Sequence, residues 1–172
     1  MLAYIFVLFA AAYHFFPHSA LAFTPVAASL LYFGARGSRR HFWVPLAVLI
    51  GTDIALTTVR YGYPLTADHV VTWAWYAGVL WLGAAACSEM KPVRVAGAAI
   101  FSSLSFFLIS NFAVWAVWNM YPKTVDGLMM SYAAALPFFR HQFAGDLFFT
   151  AVLFGIGAVV QGWSTSKARL TA

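Results

Sequence analysis

Asp53, Asn111 and Arg140 are the residues of this chain best equipped to hold the polar atoms of a ligand. A carboxylate accepts hydrogen bonds, a guanidinium donates them in a fixed fork, and an amide does both. Around them stand His14 and His69 as secondary contacts, and Trp115 and Tyr121 as flat walls with one polar tip each. Trp115 and Trp118 follow Asn111 by four and seven residues, so the three share one helical face. Such a set could fix a small molecule in an otherwise apolar recess. Blander roles stay open. Asp53 could pair with Arg140 or Arg60, Asn111 could bond a neighbouring helix, and Trp118 reads best as an interfacial aromatic.

The elements that carry these residues are strongly apolar. The chain is 63% hydrophobic and 9% charged, a composition that suits lipid better than water. Six apolar stretches, at 1–16, 21–35, 42–59, 70–87, 95–118 and 143–163, read as six helices. His14, Asp53, Asn111 and Asp146 interrupt four of them, and an ionisable group within a span usually marks a site or a pathway. Segment 125–139 is too short and too weakly apolar to cross. It is expected to form an extra amphipathic or re-entrant helix from Asp126 to Leu136, stopped by Pro137 before the last span. The expected fold is all-α: one polytopic membrane domain over 1–172 with six transmembrane helices.

Seven of the ten basic residues (Arg36, Arg39, Arg40, Lys91, Arg94, Lys167 and Arg169) fall in alternate connections and the tail. Arg60, Lys123 and Arg140 fall in the others, so the first group is expected in the cytoplasm, with both termini. The polar candidates then share the outer layer. The first stretch lacks a basic leading region and reads as a retained helix. The Arg36–Arg40 run suits anionic headgroups rather than nucleic acid. A single cysteine excludes an intrachain disulfide. Metalloprotease, nucleophile-elbow, dinucleotide and P-loop motifs are absent, and no cofactor is expected. His14, His18, His69 and His141 follow no recognised ligand spacing, so an enzyme with a histidine-bound metal is kept only as a rival reading.

Asn111-Phe-Ala-Val-Trp115, Tyr121-Pro-Lys-Thr124, Pro137-Phe-Phe-Arg140 and Gly145-Asp146 resemble the signature of a family of small bacterial integral-membrane proteins of unknown function. Pro17-His18, Phe23-Thr-Pro25 and Phe33-Gly34 agree with it. More weakly, by size, helix count and pocket side, the chain is similar to the substrate-binding S components of energy-coupling-factor vitamin transporters. The Ala-x-x-x-Ala face by which many of those dock on a coupling subunit is not evident in the first helix. The order His14, Asp53, Arg140 resembles solitary cobalamin carriers, with His69 near the place of their cobalt-binding cysteine. The resemblance implies a bacterial inner-membrane protein that takes up a vitamin or similar micronutrient, cobalamin being the first guess. Its partners would be the ligand, lipid and a coupling ATPase module or other membrane subunit. The rival from another class is an accessory subunit of a larger membrane complex.

Overall fold

The computed structural model describes residues 1–15 and 23–170, and every regular element among them is helical. Six α-helices follow in order: α1 (Leu2–His14), α2 (Val26–Arg36), α3 (Trp43–Ile54), α4 (Ala67–Ala86), α5 (Pro92–Val117) and α6 (Val125–Leu170). A 3-10 turn, Arg39–His41, precedes α3, and a π-helical segment, Ala55–Arg60, continues it. His18, and the side chains of Lys167 and Arg169, lie outside the described residues.

Helix α2 is the hub. Pro25 stands at its N-cap, where a missing N–H does no harm, and every residue from Val26 to Gly34 is buried. A helix apolar on all sides belongs inside a bundle, and α2 is enclosed by α1, α4, α5 and α6. The buried hydroxyl of Ser29 is satisfied within the helix by the Val26 carbonyl at 2.8 Å. The closest approach is to α4. A Cβ on Gly34 would run into the Leu80 carbonyl, and one on Gly83 into the Leu31 carbonyl. Small residues on both helices let the backbones meet and extend dispersion contact over the crossing.

Three helical stretches are long and apolar enough to cross a membrane: Arg39–Arg60, Pro92–Val117 and Val125–Trp163. With 13 residues, α1 is about 20 Å long, and α2, with 11, about 16 Å. Both fall short of the ~30 Å hydrocarbon core.

Segment 125–139 is no separate helix. It forms the first part of α6, a continuous helix of 46 residues with Pro137 inside. The proline removes one backbone bond, at a cost of ~3 kcal/mol. Tertiary contacts with α5 offset that loss. Tyr132 donates its hydroxyl to the Leu108 carbonyl at 2.9 Å, and the Phe107 and Phe139 rings lie 4.5 Å apart. Those contacts hold the helix on both sides of the proline, so the expected break at Pro137 gives way to one α5–α6 hairpin.

Candidate functional site

Where α1 ends and α2 begins, a cavity of about 180 Å³ is lined by His14, Thr24, Trp75, Tyr76, Phe106, Gln142 and Asp146, with Val26 and Ala27 beneath. Five helices meet here or nearby: α1 brings His14, α4 brings Trp75 and Tyr76, α5 brings Phe106, and α6 brings Gln142 and Asp146. Gln142 and Asp146 are four residues apart and so share a face; the amide donates to the carboxylate at 3.4 Å. Asp146 is 3% exposed, and no Lys, Arg or His among the described residues forms an ion pair with it. Ser103 of α5 stands beside it. The indole N–H of Trp75 is used on Ser105 at 3.0 Å, which fixes the ring at the wall of the cavity. The recess is thus an apolar and aromatic shell into which His14, Thr24, Gln142 and Asp146 bring polar groups, able to take hydrogen bonds and a positive charge.

Of the residues singled out in the sequence, His14 lines this cavity. Asp53 lies one layer behind it. Its carboxylate accepts the Trp73 indole N–H at 2.8 Å and is close enough for its charge to act on Tyr76. His69 sits one turn before Trp73 and builds the start of α4. Its Nδ1 accepts the Thr66 backbone N–H at 3.3 Å in a capping box, which leaves Nε2–H to donate to Thr57 at 3.3 Å. Thr57 belongs to the π-helical segment, so His69 ties that turn to α4.

Asn111, Trp115, Tyr121 and Arg140 are elsewhere. Asn111 donates to the Phe107 carbonyl of its own helix at 2.7 Å, and its carbonyl receives Ser131 of α6 at 3.4 Å. Trp115 donates to the Pro122 carbonyl at 2.8 Å, with the Lys123 ammonium 5.6 Å from its ring centroid. Lys123 also donates to the carbonyls of Trp115, Ala116 and Trp118, closing the C-terminus of α5. Tyr121 stands in that same turn, half-buried. Arg140 is exposed on α6. No hydrogen bond or ion pair among the described residues joins Asp53, Asn111 and Arg140. Also among the described residues, no three His, Cys, Asp or Glu side chains converge as a metal site would need.

Gln142, Tyr76 and Trp75 carried no sequence signal that set them apart from ordinary helix residues. Asp146 did, as an acid inside an apolar run. What singles it out from the other acids is its burial.

The fold is that of an all-helical protein with three helices able to cross a membrane by length and composition. The chain belongs to a family of unknown function, DUF6580, whose model matches residues 1–168. No curated protein and no solved structure matches it.

Proposed function

We propose that this protein is a membrane solute-binding protein that captures a small micronutrient and mediates its uptake. The observation that carries the reading is the convergence of His14, Gln142 and buried Asp146 on one aromatic-walled cavity, with Asp146 inside a helix long enough to span a bilayer. An uncompensated carboxylate at that depth costs several kcal/mol unless a ligand, water or a proton meets it. Asp146 would hold a cationic or donor group, His14 and Gln142 would orient it, and Tyr76 and Trp75 would cover its apolar part. A cavity of about 180 Å³ favours a small solute over one as large as cobalamin.

In this reading all six helices lie in the bilayer, with the short α2 sheltered by α4 and α6 and α1 packed on α2 and α3. The end that carries Arg36, Arg39 and Arg40 faces the cytoplasm of a bacterial cell, and the His14 end faces outward. A coupling module or a second membrane subunit would supply the energy.

Thermal unfolding of the detergent-solubilised protein with a panel of vitamins tests the reading. Thiamine would represent small cations, biotin small acids and cobalamin large ligands. Stabilisation by a small cationic member, lost in Asp146→Asn, supports capture. No stabilisation by any member at millimolar concentration counts against it and favours the accessory-subunit reading.

A further inference from the structure

At the opposite end of the bundle a second cavity, of about 540 Å³, opens between the start of α1, the end of α2, the Arg39–His41 turn and the later part of α6. Its polar lining comes from Tyr4, Tyr32, Arg36, Ser38, His41 and Gln161. Each of these can donate a hydrogen bond, and no carboxylate is among the lining residues.

Arg36 is held rather than loose. With its amide oxygen turned toward the guanidinium, Gln161 accepts from Nη2 at 2.8 Å and from Nε at 2.9 Å. That clamp occupies one edge of the fork and leaves the Nη1 edge for an anion. The Tyr4 hydroxyl lies 2.6 Å from His41 Nδ1. With Tyr4 donating there, the imidazole carries its proton on Nε2 and becomes a further donor. Gly157 keeps the space open, since a Cβ there would strike the Tyr32 hydroxyl. The one acid at this end, Glu89, is engaged by Lys91 at 2.7 Å and Arg94 at 3.5 Å. Among the described residues no carboxylate neutralises Arg36.

A second recess adjoins the first. Met90 lies beside Gln161, and from Met90 an apolar groove of about 330 Å³ runs between α5 and α6, past Pro92, Val95 and Phe154. Tyr32 of the polar cavity and Phe154 of the groove are in edge contact, their centroids 5.1 Å apart. A donor-rich basin thus opens beside an apolar channel at the end of helices built for lipid. We propose that the two recesses together bind one anionic phospholipid, whose phosphate meets Arg36 and His41 and one of whose two acyl chains lies in the α5–α6 groove. Free phosphate would satisfy the basin but leave the groove unused.

Full-length protein would be titrated with phosphatidylglycerol or phosphatidylcholine in detergent, with inorganic phosphate as a third probe. Lipid retained in native mass spectrometry and the melting temperature would both be read. The expected result is retention of phosphatidylglycerol over phosphatidylcholine, with binding about tenfold weaker in Arg36→Gln, as loss of a charge-assisted fork implies. Ala158→Trp, which fills the groove, is also expected to weaken binding, whereas Arg94→Gln leaves it unchanged. Should Arg36→Gln not fold, Arg36→Lys keeps the charge but loses the fork and is expected to bind several-fold more weakly. Equal losses in Arg36→Gln and Arg94→Gln would reduce the effect to diffuse charge and overturn the proposal. So would phosphatidylcholine binding as well as phosphatidylglycerol, or inorganic phosphate alone giving the full stabilisation.

Discussion

Trp73 donates its indole N–H to the Asp53 carboxylate at 2.8 Å, one turn of α4 before Tyr76, which lines the cavity beside Asp146. The pair joins α3 to α4 at the point where α3 passes into its π-helical segment. Trp73→Phe keeps the ring but removes the donor, leaving a half-buried carboxylate short of a partner. The expected destabilisation is ~1–3 kcal/mol, read as a lower melting temperature in detergent. Asp53→Asn can still accept from the indole and is expected to be milder.

The α2–α4 crossing predicts a contrast among glycines. Gly34→Ala and Gly83→Ala each place a Cβ against a backbone carbonyl that cannot rotate away, whereas Gly78 and Gly155 have nothing within 4 Å of the added atom. The first two are expected to cost upwards of ~1–3 kcal/mol, and the last two to be neutral or to stabilise by ~0.5–1 kcal/mol. Expression level and thermal unfolding of the four variants would show it.

For the ligand, the prediction separates two sets of residues. Asp146→Asn and His14→Ala are expected to abolish stabilisation by a bound small cation, and Arg140→Ala to leave it intact. Titration by calorimetry or thermal shift gives the answer. Loss in Arg140→Ala with retention in Asp146→Asn would move the site away from the His14–Asp146 cavity.

Lys123→Ala removes the ammonium that closes three carbonyls at the end of α5. It is expected to cost ~1 kcal/mol, comparable with loss of a helix-terminal charge and cap, without changing ligand affinity. A matched fall in affinity would instead place the 118–124 turn in the binding machinery.

The helices were legible because lipid-compatible runs leave few alternatives, and each of the six apolar stretches overlaps one of the six helices. The break at Pro137 was misread because a proline's local cost is visible in sequence, whereas the Tyr132–Leu108 and Phe107–Phe139 contacts that offset it are not. The candidate site was legible in depth but not in azimuth. His14 and Asp146 stand out as polar interruptions, and both face the cavity. Arg140 lies at similar depth, yet two residues before Gln142 is about 200° around the helix, so it faces away. Trp115 and the Tyr121-Pro-Lys segment serve a tight turn, where Trp115 and Lys123 close the end of α5. A ligand site would draw on the same residue types, and sequence alone does not separate the two uses.

The enclosure of α2 also bears on how the chain is made. An element of 11 residues is too short to partition into a bilayer alone, and its partner in the close crossing, α4, is synthesised some tens of residues later. Until α4 arrives, the backbone of α2 at Gly34 has no surface to rest on. If the chain enters a membrane as proposed above, the first half inserts as a joint event, and a ribosome stalled before residue 67 would leave an unfinished α1–α2 pair without its α4 partner.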